Sequence, residues 1–156
     1  MAAPLTATYS FLDVLATLTA PTASIRLSDN GIAREGIRIS MSDEKDRMQI
    51  GADGSGQHSL NASNAGRVTV ALLKTSPINA QLSTLYNYQK ASAANWGNIQ
   101  ISVTNLTTGD DVTAVQGAFV KRPDLIYDVD GPMLAWEFNF VSIEGVIGNA
   151  YQTTAL

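Results

Sequence analysis

Apolar residues recur at every second position along most of this chain, the period of strands that bury one face. Leu12, Val14, Ala16 and Leu18 share one face, and Ile25 and Leu27 alternate with Arg26 and Ser28. Ile37, Ile39 and Met41 alternate with Arg38, Ser40 and Ser42, and Val68, Val70 and Leu72 with Arg67, Thr69 and Ala71. Ile99, Ile101 and Val103 stand against Gln100, Ser102 and Thr104, the cleanest amphipathic strand of the set. Residues 112–120 predict a further strand, with Gly117 placed for a bulge. Leu134, Trp136, Phe138 and Phe140 build a heavy apolar face against Ala135, Glu137 and Asn139. The parity then flips to Val141 and Ile143, which predicts a bulge or a strand bent across two sheets.

Turn chemistry separates these runs. Asp29-Asn30-Gly31 and Thr108-Gly109-Asp110 predict hairpin connections, and Asp130-Gly131-Pro132 a break. One helix stands out. Ser76 fits its N-cap and Pro77 its first position, and Ile78, Leu82, Leu85, Tyr86 and Gln89 follow at helical spacing. It ends before Gly97. One helix among about seven strands predicts a mainly β fold, a β-sandwich or barrel whose helix covers one face or edge.

Residues 42–66 interrupt the pattern as a long, polar, glycine-rich stretch. They hold Asp43, Glu44, Lys45, Asp46 and Arg47, then Gly51, Gly54 and Gly56. Met48 and Ile50 predict that part of this loop pairs as a hairpin. Loops of this length in a compact domain are functional or disordered. Nothing marks a domain boundary, so the length of 156 residues predicts one domain over 1–156.

Composition narrows the function classes. Charged residues make up 15%, against about a quarter in an average domain. That suits a surface buried against other copies, since interface cores are depleted in charge. It equally suits a small monomer with a Ser/Thr/Asn-rich surface. The net charge is −4, and the densest cationic group is Lys121-Arg122. Proteins that hold nucleic acid tightly present a basic patch to the phosphates, so sequence-reading DNA binding is not expected. The N-terminal MAAPLTATYSF lacks the charged and apolar regions of a signal peptide, and no apolar run reaches membrane-span length. Synthesis in the cytoplasm is the expectation. Asn61-Ala62-Ser63 and Asn105-Leu106-Thr107 match glycosylation sequons that carry no meaning without a secretory signal.

Candidate chemistry is sparse. With no cysteine, neither a disulfide nor a thiolate metal site can form. His58 is the sole histidine, and no G-x-S-x-G elbow accompanies it. The glycines at 51, 54 and 56 have the wrong spacing for a dinucleotide or phosphate loop. Asp128-Val129-Asp130-Gly131 lacks the third ligand and the closing glutamate of a calcium loop, and reads as a turn. No catalytic, cofactor-binding or metal-binding residue is expected, and the chain is not expected to be an enzyme. Trp96, Trp136 and the tyrosines leave open a β-barrel module that binds a small ligand or carbohydrate.

Four features in order resemble the tail tube proteins of contractile-tailed bacteriophages. They are Gly51-Ala52-Asp53-Gly54 followed by Ser59; Gly66 leading into Val68-Thr69 and Leu72; Thr75-Ser76-Pro77 with Asn79 and Leu82; and Arg122-Pro123-Asp124 followed by Trp136. Together they span residues 42–140, and the first forty residues match in pattern only. The resemblance implies a β-sandwich closed towards a barrel with one helix, six copies per ring, and a continuous inner β-barrel across the ring. It implies stacked rings, a sheath around them, baseplate and tail terminator proteins at the ends, and genomic DNA passing through the lumen without sequence-specific contacts. The setting would be the virion tail. The same resemblance covers the tube of a tailocin or secretion system. It turns Asp43, Glu44, Lys45, Asp46 and Arg47 into an expected subunit-contact loop.

Overall fold

The alternating segments pair into one antiparallel sheet of seven strands that curls into a half-barrel. The computed structural model describes residues 4–149, so the start of the segment read for a leader lies outside the described residues. The main sheet contains β1 (Val14–Ala20), β2 (Ala23–Arg26), β3 (Ile32–Met41), β6 (Gly66–Leu73), β7 (Ile99–Asn105), β8 (Asp110–Phe119) and β9 (Met133–Val146). Between β3 and β6, β4 (Asp46–Ile50) and β5 (Gly56–Leu60) form a separate two-stranded sheet. The one α-helix among the described residues, α1, runs Ile78–Lys90. The strand order is β2-β1-β7-β8-β9-β6-β3.

The expected period-two faces meet as drawn from the sequence. Val68 pairs with Phe138, Val70 with Trp136 and Leu72 with Leu134, and Leu18 stands opposite Ile101. These residues and the Ile78, Leu82 and Leu85 side of α1 form one buried cluster. An aromatic ladder runs through it. Tyr86 meets Phe119 edge-on at 5.3 Å, Phe119 lies 4.8 Å from Phe138, and Phe138 6.4 Å from Phe140. The start of α1 follows the expected chemistry. Ser76 Oγ accepts the Ile78 N–H, Pro77 already has helical dihedrals, and Ser76 Oγ donates to the Asn30 carbonyl. After Lys90 the chain passes through a short 3₁₀ turn at Ala93–Asn95 and reverses at Gly97, φ +87°.

Four local expectations are corrected. Leu12 is not on a strand face: it sits in a 3₁₀ turn, Phe11–Asp13, 91% exposed, because Ser10 Oγ caps its N–H. Met41 is exposed rather than buried, because β3 runs past the edge of the core there. Asp29-Asn30-Gly31 does turn the chain, with Gly31 at φ +79°, but it joins no hairpin. It carries the chain from β2 at one edge of the sheet to β3 at the other. Finally, β9 has no bulge at the parity flip. Its register with β8 is unbroken, although Ile143 is buried and Val141 exposed. The bulge lies in β8, where Ile99 pairs with Gly117 but Ile101 with Ala114, and Gln116 adopts φ 56°.

Gly117 beside that bulge is required sterically. A Cβ there would sit 2.2 Å from Phe140 Cε1. Gly117→Ala is therefore expected to cost about 1–3 kcal/mol, the usual range for overpacking. Urea midpoints check this. Paired with Phe140→Leu, the loss should be smaller than the two single losses added, because the two sites share one space.

Candidate assembly surfaces

No apolar segment of the core reaches the hairpin β4–β5: every residue of both strands is exposed. Its register is Asp46 to Leu60, Met48 to His58 and Ile50 to Gly56 on one face, with Arg47 to Ser59 and Gln49 to Gln57 on the other. The hairpin is thus amphipathic, with Met48, Ile50 and Leu60 on the first face and polar residues alone on the second. Its tip is an Asx-type turn. Asp53 accepts the Ser55 N–H at 3.0 Å and the Ser55 hydroxyl at 3.1 Å. The Ser55 backbone N–H, followed by its hydroxyl, holds the Asp53 carboxyl below the usual aspartate range.

The five residues expected to contact another subunit gather at the base of this hairpin. Lys45 Nζ donates to the Ser63 carbonyl and to Asn64 Oδ1, each at 2.6 Å, and to the Asn61 carbonyl at 3.1 Å. Asp43 accepts the Ser63 hydroxyl at 2.7 Å. Asp46 faces His58 Nδ1 at 2.9 Å across the strands. Asp43, Lys45 and Asp46 are thus engaged within their own chain. Glu44 and Arg47 have no side-chain partner among the described residues.

A second surface is the wet face of the sheet. Arg38 stands opposite Thr69 and Ser40 opposite Arg67. Thr69 in turn meets Glu137 and Arg67 meets Asn139. Arg67 Nε donates to Asn139 Oδ1 at 3.2 Å, and its guanidinium lies 3.5 Å from Glu137. At the two edges of the sheet, β2 and β3 each lack a strand neighbour on one side among the described residues.

The third surface escaped the sequence reading. Residues 121–132 form no regular element and are pinned at Pro123, which is buried. Beyond it Leu125, Ile126, Tyr127 and Val129 are exposed, Tyr127 at 81% and Val129 at 98%. Ile126 shares a cavity with Met133 and Ala135, and Lys74 Nζ lies 5.4 Å from the Tyr127 ring centroid. The segment therefore lies at the Leu73–Met133 end of the sheet, since those residues pair. The hairpin leaves from the other end, where Met41, Gly66 and Phe140 are paired in a row. The run of apolar residues after Arg122-Pro123-Asp124 was the available signal, and only its neighbour Asp128-Val129-Asp130-Gly131 was read, as a turn.

Trp136 is buried, and its Nε1 donates to Asn79 Oδ1 at 3.0 Å. It is a core residue and offers nothing to a surface ligand. Trp96, 38% exposed, packs edge-on against Tyr86. Among the described residues no three His, Asp or Glu side chains gather as a metal site requires, and no helix is long and apolar enough to cross a membrane.

The family model described as bacteriophage PhiTE tail tube protein matches residues 6–148. The chain belongs to that tail tube family. No curated protein matches it. Solved structures that share the tail tube chain's fold include two from the anti-feeding prophage. One is the anti-feeding prophage cap, the tube terminating cap, at 11% identity and TM-score 0.53, covering 95% of this chain and 97% of that one. The other comes from the anti-feeding prophage baseplate, 6-fold symmetrised, at 13% identity and TM-score 0.52, covering 94% and 97%.

Proposed function

We propose that this chain is the structural subunit of a tail tube: six copies close a ring, rings stack, and the lumen conducts DNA out of the virion. The role is assembly, not catalysis. The observation that carries it is the tail tube family match over residues 6–148. The geometry supports it. A half-barrel whose edge strands are open on one side among the described residues can add a neighbour at each edge, and a head-to-tail contact of that kind closes a ring or repeats as a filament. In such a ring the strands would join into one barrel. One structure of similar fold belongs to an assembly treated with sixfold symmetry. The wet face mixes Arg38, Arg67 and Glu137 with Ser, Thr and Asn, and the chain carries −4 overall. Such a wall lacks the dense cation array that would hold DNA by counterion release. A sheath around the tube, with baseplate and terminator proteins at its ends, completes the proposed set of partners.

Negative-stain electron microscopy of the purified chain at high concentration tests this reading. Rings or hollow tubes of constant width are expected. A chain that stays monomeric even with a baseplate nucleus would overturn it. The anti-feeding prophage folds favour a second reading, the tube of a phage-derived injection machine. Genes flanking this one separate the two, because capsid genes belong to a phage alone.

Within the tube, the base of the hairpin is proposed to touch a neighbouring subunit through Glu44 and Arg47, the two of its five charged residues left unpaired. Glu44→Lys combined with Arg47→Glu is expected to cut the yield of tubes at least tenfold. The thermal melt of the free subunit should stay within about 2 °C, as for exposed substitutions. Unchanged tube yield would remove both residues from the contact.

A further inference from the structure

A two-stranded hairpin is marginal in water on its own, yet β4–β5 keeps five paired positions with no core beneath it. Its Met48, Ile50 and Leu60, which share one face with the Asp46–His58 pair, are left uncovered by the described residues of their own chain. At the opposite end of the same strands, Leu125, Ile126, Tyr127 and Val129 are also exposed. Apolar surface gathered in this way marks a contact site. β6, eight residues long, separates the two, a distance of about 25 Å at the rise of a strand. One copy cannot bring its own two surfaces together across that span. Two copies stacked along the strand direction can, and the pair then has one surface of each kind still free, one at either end.

We propose that the Met48/Ile50/Leu60 face of the hairpin seats on residues 125–129 of the next copy along the tube. This rests on the tube reading and names the two halves of its axial contact. Each side offers a run of five residues, the hairpin's being a strand of about 17 Å. The charges agree. The hairpin side holds the unpaired Glu44 and Arg47, and the receiving side holds Arg122 and Asp130, likewise without side-chain partners among the described residues. Each side therefore offers one cation and one carboxylate to the other at the rim. The contact is head-to-tail, so it propagates rather than closing on a pair.

Hydrogen exchange on the wild-type protein tests the seat without any variant. Amides of β4, β5 and residues 125–129 are expected to slow at least tenfold together when free subunits become sheath-free tubes. Slowing in only one of the two regions overturns the pairing. So does slowing of residues 125–129 that appears only after sheath protein is added, which would assign that surface to the sheath. A wild-type chain that forms no rings or tubes overturns the tube reading and this contact with it. Cross-linking gives a second readout, because the sequence contains no cysteine. Met48→Cys with Val129→Cys should yield a ladder of covalent oligomers from tubes under a short bismaleimide. Gln49→Cys with Val129→Cys, on the opposite hairpin face, should yield at least fivefold less. Equal ladders, or tubes without a ladder, overturn the seat while leaving the tube intact.

Discussion

Leu82→Asp is expected to leave the chain unfolded. Leu82 is fully buried at the middle of α1, and its side chain is part of the cluster that joins the helix to the sheet. Truncating a buried leucine to alanine alone costs about 2–5 kcal/mol. Aspartate adds an unpartnered charge in the same space, which costs several kcal/mol more even after it takes up a proton. Domains hold only about 5–15 kcal/mol in total. Far-ultraviolet circular dichroism and a thermal scan of the variant check this. A cooperative melt near that of the wild type would mean that α1 does not cover the core.

Phe138→Ala is expected to be the most damaging aromatic truncation, at about 3–5 kcal/mol. Phe138 is the largest of the side chains with no exposed surface, and it sits between Phe119 and Phe140 in the ladder. Its removal empties the place where β6, β8 and β9 converge, since it pairs with both Val68 and Phe119. The midpoint of thermal unfolding should fall by roughly 10 °C or more. Trp96→Ala, at a half-exposed site touching Tyr86 alone among the described aromatic rings, should fall by much less. Equal losses at both positions would contradict the ladder as the centre of the core.

The alternation of apolar and polar residues made most of the sheet legible, because each main strand buries one face and wets the other. Ser76, Pro77 and the spacing from Ile78 to Gln89 made the start of α1 legible to within a residue, since capping is local chemistry. What sequence could not reach was pairing. Asp29-Asn30-Gly31 has the residues of a tight hairpin, but turn chemistry specifies a reversal of direction and not the strand that is met afterwards. Of the two bulges that the sequence offered, the one beside Gly117 in β8 formed and the one in β9 did not, and the fit of the Phe140 ring over Gly117 is a contact between distant residues that no local pattern shows. Of residues 43–47, the charge run was legible and its internal pairing was not. Lys45 and Asp43 look as free as Glu44 in the sequence, and only folding turns Ser63 and Asn64 towards them. Residues 125–129 were hidden because they lie outside any alternating or helical pattern, and only a fold shows which apolar residues stay exposed.

The passage from β2 to β3 has a mechanical consequence. A flat seven-stranded sheet would hold its outer strands nearly 30 Å apart, at about 4.8 Å per gap. The chain between Arg26 and Ile32 can reach only about 20 Å when drawn fully taut. The two edges are therefore tied by a string shorter than the sheet is wide, and the sheet is bent like a bow. Its arc is written into each molecule before any neighbour arrives, so a neighbour added at an edge meets an angle already set.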